Sequence, residues 1–243
     1  MKRANNIDYS YFKSIDTEYK AYILGFIYAD GCVLTKPKGN RQKQLIVSIQ
    51  KEDGYILEKL LKDINNNTLI TRNPPSAIKN GWKAQAQAVI ASTEIVDDLI
   101  ALGCLPNKSE VGLIFPKLDA EMIPHFIRGF FDGDGCITIK KDIYKGKKVT
   151  TVNYSKRIAL TSTDSSFLDI LCKYLPITKL YKRVKKRKLL VHTYWIERQQ
   201  DIQTVKNYLY NDATVFLKRK KEKFDMTIKS EALDVFKERL ETT

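Results

Sequence analysis

The chain has only two histidines, His125 and His192, and four cysteines, Cys32, Cys104, Cys136 and Cys172, none in C-x-x-C spacing. A structural zinc site is therefore not expected, and the cysteines read as free thiols in a reducing compartment. Also lacking is any apolar run near the roughly 20 residues that span a bilayer. The opening MKRANNIDYSYFKSID has no apolar core of a secretory signal. These absences predict a cytoplasmic, nucleoid-associated or organellar protein that is not secreted and has no membrane partner. Acidic residues are not scarce, at 28, but 42 basic ones outnumber them and give a formal charge of +14. Such a field favours polyanions, and charge speaks about partners rather than fold. With 243 residues, 43% of them hydrophobic, there is material for one large domain or two small ones.

What the sequence does contain is a repeat. ILGFIYADGCV starts at Ile23, and FIRGFFDGDGCI starts at Phe126. Gly25 corresponds to Gly129, Asp30 to Asp134, Gly31 to Gly135 and Cys32 to Cys136. Apolar spacing predicts a helix over 17–29, with Asp16 as N-cap and Gly31 as stop. A second helix runs from near Pro124 to Gly135. Each motif leads into a short strand (CVLTK, CITIKK), a basic polar loop (PKGNRQK, DIYKGKKVTTVNYSK) and another strand (QLIVSIQ, RIALTS). A helix follows, with Ile56, Leu57, Leu60, Leu61 and Ile64 matched by Phe167, Leu168, Leu171, Cys172 and Leu175. A second hairpin and a last helix close each half. The pattern is α+β, two αββαββα repeats over 1–112 and 113–243, the second with a C-terminal helical extension. PNKSEVGLIFPKLD, which shows no clear periodicity, joins them.

Strand alternation sorts the faces. In WKAQAQAVI, Trp82, Ala84, Ala86, Ala88 and Ile90 point one way, and Lys83, Gln85 and Gln87 the other. Gln44 and Ser48 oppose Leu45, Val47 and Ile49, while Ser155, Arg157 and Thr161 hold the matching face of the second half. Glutamine and lysine on such a face are suited to reading base edges in a groove.

The motifs pose an electrostatic problem. A helix C-terminus is partly negative, so a carboxylate there is disfavoured, yet both motifs end in Asp-Gly. If the helices pack about a pseudo-twofold, Gly25 and Gly129 let their backbones approach, and Asp30 and Asp134 come together. Two close carboxylates force proton uptake unless a cation lies between them. A divalent ion with oxygen ligands, suited to magnesium, resolves this, with the helix-end carbonyls of Ala29 and Gly133 as further ligands.

KAYILGFIYADGCV, IPHFIRGFFDGDGCI and LYNDATVFLKRKKEKF resemble the LAGLIDADG homing endonucleases, in their single-chain, two-motif branch. The resemblance covers nearly the whole chain. It implies a double-strand DNA endonuclease acting as a monomer, with saddle-shaped antiparallel sheets in flanking major grooves. Two or more Mg2+ ions would be shared between Asp30 and Asp134, and the products would carry 5′ phosphates and short 3′ overhangs. The earlier acid of each motif is Tyr28 in the first and Asp132 in the second, the latter read as structural. Gln50 takes the place of a glutamine that positions water or metal, and Arg198 that of a basic group supporting the transition state. DNA contacts are implied for Lys36, Lys38, Arg41, Gln44 and Ser48, and for Lys83, Gln85 and Gln87, in one half. In the other half they are implied for Thr138, Lys140, Ser155, Arg157, Arg183 and Lys185. The same fold leaves two rivals: an intron RNA maturase, or a DNA-binding regulator with a decayed site.

Overall fold

The computed structural model of the protein describes residues 7–39, 42–66, 71–72, 84–145 and 150–226. Arg41 and Lys83 lie outside them. The chain forms two compact units, Met1–Gly133 and Asp134–Thr243.

The first unit is built on α1 (Glu18–Asp30), which leads directly into β1 (Gly31–Leu34). β2 (Gln44–Gln50), α2 (Tyr55–Asp63), β3 (Thr71–Arg72), β4 (Gln85–Ala91) and α3 (Thr93–Ala101) complete the repeat. The antiparallel sheet has the order β1-β2-β4-β3. Leu45, Val47 and Ile49 on β2 and Ala86, Ala88 and Ile90 on β4 are buried, as strand alternation requires. The N-cap of α1 is Thr17, whose hydroxyl accepts from Lys20 N–H, and not Asp16. Asp16 instead pairs with Lys20 at 3.0 Å. The joining segment holds a one-turn helix, α4 (Lys108–Val111), before α5 (Ile123–Asp134).

The second unit repeats the order: β5 (Cys136–Lys145), β6 (Thr150–Ser162), α6 (Ser165–Lys173), β7 (Tyr181–Lys186), β8 (Leu190–Ile196) and α7 (Gln199–Tyr210), then α8 (Lys218–Asp225). Its sheet order, β5-β6-β8-β7, matches the first. The segment expected to be a polar loop is mostly strand here. β5 and β6 stay paired out to Lys145 and Thr150, because Ile143, Tyr144, Thr150, Thr151 and Val152 are strand formers despite the intervening lysines.

α1 is apolar nearly all round, with Tyr19 and every residue from Ala21 to Tyr28 buried. A helix of that kind belongs inside a core, and what covers it is α5. A methyl group on Gly25 would lie 1.9 Å from the Phe126 carbonyl oxygen, and one on Gly129 would lie 1.9 Å from that of Tyr22. The contacts are reciprocal: each glycine meets the residue three positions before the other. The two motif helices thus touch backbone to backbone, which explains why α5 up to Gly133 belongs to the first unit although its sequence opens the second repeat.

Candidate functional site

Both motif helices end alike. Asp30 and Asp134 are exposed, the preceding Ala29 and Gly133 are half-buried, and the following Gly31 and Gly135 are buried. In the first unit Gly133 is pressed onto the end of α1. A Cβ at Gly133 would lie 2.3 Å from that of Ala29 and 3.2 Å from Asp30 Oδ2.

The negative end of α1 has no basic residue in its last turn. Its counter-charge comes from far along the chain. Lys108 Nζ, on α4, donates to the carbonyls of Ile27 (2.9 Å), Tyr28 (2.6 Å) and Ala29 (2.6 Å). One ammonium thus covers three carbonyls at the helix end, of which that of Ile27 also accepts from Gly31 N–H. In the second unit Lys220 Nζ, on α8 and 6% exposed, donates to the carbonyl of Gly135, the residue that follows α5. Sequence reading missed both lysines. The available signal was the absence of any cation in the last turn of either motif helix, which requires one from elsewhere.

The earlier motif positions are structural. Tyr28, 1% exposed, donates to the carbonyls of Leu102 (2.6 Å) and Ile114 (3.0 Å). Burial, with Cys104 nearby, pushes its hydroxyl well above the usual tyrosine range. Asp132 is fully buried and accepts from Tyr22 Oη at 2.9 Å. Removing one side of a buried polar pair costs about 1–3 kcal/mol, so Tyr22→Phe is expected to lower the unfolding free energy by that amount, read as a lower urea midpoint, while leaving activity at low temperature intact. An unchanged midpoint would remove Asp132 from the structural framework. Near the other end of α5, the buried Arg128 pairs with Glu18 at 2.6 Å and meets His125 Nδ1 at 3.0 Å. Burial, then Arg128, depresses the His125 pKa, so this histidine serves packing. All four cysteines are free, with Cys32 and Cys136 exposed, and burial raises the Cys104 and Cys172 thiols to about 11 and about 12.

Gln50 ends β2 opposite Gln85 and is half-buried. Since Cys32 pairs with Ile46 and Cys136 with Ala159, the register equates Gln50 with Thr163, just past β6. Arg198 is the N-cap of α7 and donates to Thr178 Oγ1 (2.7 Å) and Gln200 Oε1 (3.0 Å). It ties together the start of that helix and the loop before β7.

The sheet residues fall on the faces expected. Gln44, Ser48, Gln85 and Gln87 lie opposite the buried side chains of β2 and β4, and Gln87 Nε2 donates to Ser48 Oγ at 2.9 Å. Lys36 and Lys38 are exposed between β1 and β2. In the second unit Thr138, Lys140, Ser155 and Arg157 share the face opposite Ile137, Ile158 and Leu160, and Arg183 and Lys185 are exposed on β7.

Among the described residues no group of three or more His, Cys, Asp or Glu side chains forms a metal cage. Magnesium is commonly held by one or two carboxylates, with waters and substrate phosphates filling the rest. The oxygen donors of Asp30 and Asp134, both facing solvent, are of that kind.

Fold and motif ends together define a two-repeat α+β protein built around paired Asp-Gly helices. Residues 127–229 match the LAGLIDADG endonuclease family model. No curated protein matches it in sequence. Its fold is similar to that of the I-LtrWI LAGLIDADG homing endonuclease bound to target DNA (13% identity, 90% of this chain and 88% of that one, TM-score 0.57). It is also similar to the I-AabMI meganuclease bound to uncleaved DNA (13% identity, 86% and 88%, TM-score 0.57). A third is I-SmaMI bound to uncleaved DNA target in the presence of calcium ions (14% identity, 84% and 87%, TM-score 0.52).

Proposed function

We propose that this protein is a site-specific, magnesium-dependent DNA endonuclease that cuts both strands of a long target, one chain per duplex, leaving 5′ phosphates and short 3′ overhangs. The observation that carries the reading is the pair of exposed carboxylates, Asp30 and Asp134, each closing a motif helix, with Lys108 on the last carbonyls of α1 and Lys220 on the carbonyl that follows Asp134. The fold it shares with DNA-bound endonucleases supports the substrate class.

The outward sheet faces bind and orient the duplex, with Gln44, Gln85 and Gln87 in the first unit and Thr138, Ser155 and Arg157 in the second set against base edges. Lys36, Lys38, Arg183 and Lys185 meet phosphates. Asp30 and Asp134 would supply carboxylate oxygens to magnesium, with the Gly133 carbonyl as a candidate further ligand; the Ala29 carbonyl, expected from the sequence to serve too, is taken by Lys108. When bound, magnesium provides Lewis-acid stabilisation of the charge developing on phosphorus and makes water a competent nucleophile near neutral pH. Lys108 offsets the carbonyl dipoles at the end of α1 beside Asp30, and Lys220 the carbonyl that follows Asp134. Gln50 and Arg198 are proposed to act around the scissile phosphates, the glutamine by orienting water.

The test is selection of duplexes from a randomised pool in calcium, then incubation of the selected duplex with magnesium and mapping of the ends. Defined double-strand cuts with ligatable 5′ phosphates are expected. A selected duplex left intact would sink the nuclease reading. Binding should also depend steeply on salt. If about ten phosphates are neutralised, the slope of log K against log salt is near −9. A slope near zero would mean that the basic surface does not face DNA.

A further inference from the structure

The second sheet carries an ion-paired cluster that the equivalent described positions of the first sheet do not form. β6 pairs with β8 through Ile158 and Ile196, both buried. The same register continued by one residue sets Arg157 opposite Glu197, on the outward face. Arg157 Nη2 donates to Glu197 Oε1 at 2.5 Å, and its guanidinium carbon lies 4.8 Å from the Trp195 ring centroid. Lys140 Nζ approaches the other carboxylate oxygen at 3.9 Å. Arg157 Nε is buried without a hydrogen-bond partner. In the first sheet the residues equivalent to Arg157, Glu197 and Trp195 are Gln44, Ala91 and Val89, which are uncharged, while Lys140 corresponds to Lys36.

Stability does not account for this arrangement. A partly exposed ion pair contributes little, and a buried unsatisfied N–H is unfavourable. What the cluster does is hold a guanidinium in place, over an aromatic ring and tethered at one end. Glu197 also places an anion where a phosphate would otherwise approach Arg157 and Lys140, which turns this part of the face from backbone binding towards base edges.

We propose that Glu197 and Trp195 hold Arg157 as the reader of one guanine in the half-site bound by the second sheet, Glu197 being a specificity-determining positioning residue. Arginine donates two hydrogen bonds to the O6 and N7 of guanine in the major groove, and no other base offers that pair of acceptors. The inference rests on the DNA-endonuclease reading above.

The experiment is duplex selection in calcium from a randomised pool with the wild-type protein, Arg157→Lys and Glu197→Gln. Lysine keeps the charge but not the planar fork. Glutamine keeps the shape of Glu197 but not its charge. The wild-type consensus should contain one position fixed as guanine whose enrichment falls about tenfold in both variants, with the remaining positions retained. Glu197→Gln should in addition bind non-cognate duplex more tightly, with a steeper salt slope, as Arg157 and Lys140 turn to phosphates. An unchanged consensus in both variants, or an equal weakening of every position, overturns the assignment. A wild-type protein that enriches no consensus overturns the endonuclease reading, and this inference with it.

Discussion

Asp30→Asn is expected to abolish double-strand cleavage while leaving specific DNA binding in place, and Asp134→Asn to do the same. Both aspartates are exposed, and the closest approach of α1 to α5 is at Gly25 and Gly129, so a nearly isosteric amide leaves that contact in place. Removing an anion from the negative end of a helix even favours the fold by a few tenths of a kcal/mol. The loss falls on the metal site. Divalent-metal stabilisation of a phosphoryl transition state amounts to several kcal/mol, and about 4 kcal/mol corresponds to roughly a thousandfold in rate. The measurement is cleavage of a plasmid carrying the selected target in magnesium, with binding measured in calcium. If the two carboxylates serve both cuts, each variant leaves supercoiled plasmid intact; if each serves one strand, nicked circles accumulate. Linearisation at the wild-type rate by both variants would refute the assignment.

Gly25→Ala and Gly129→Ala are expected to destabilise the protein by about 3 kcal/mol or more each, near the upper end of overpacking costs. The added methyl meets a carbonyl of the facing helix at 1.9 Å in both cases. No rotamer change relieves a clash with backbone, so α1 and α5 must move apart and lose dispersion contacts along their length. Because the two contacts are reciprocal, the single changes should be nearly equal. The double variant should cost less than their sum, since helices already separated by one methyl accommodate the second. Urea unfolding of the three variants checks this. A shift within about 0.5 kcal/mol of wild type for either single change would mean that the close approach does not exist in solution.

The parts of the fold legible in the sequence were those written in local periodicity. Leu45, Val47 and Ile49 alternate with polar neighbours, and Ile56, Leu57, Leu60 and Leu61 recur at helical spacing, so β2 and α2 fall where expected. The Asp-Gly ends were visible because they occur twice. Three things were hidden, each for its own reason. The β5–β6 hairpin was masked by its lysines, which resemble a loop in composition although the pairing runs through Lys145 and Thr150. The bracing lysines were hidden because Lys108 and Lys220 act across long sequence separations, which no local pattern encodes. Glu197 was hidden because only the strand register sets it opposite Arg157.

The close contact of α1 with α5 has a bearing on ancestry. Gly25 meets the main chain at Phe126, and Gly129 meets it at Tyr22, so each helix sees in the other nearly the surface it presents itself. A surface that fits its own near-copy also fits an identical copy. A single ancestral repeat with one such helix would already have been able to pair with itself as a symmetric homodimer. Fusion of two genes then needed no new interface, only a tether such as the segment that now carries Lys108. Once fused, the halves were free to diverge wherever they did not touch. Arg157 and Glu197 now stand in one repeat where Gln44 and Ala91 stand in the other.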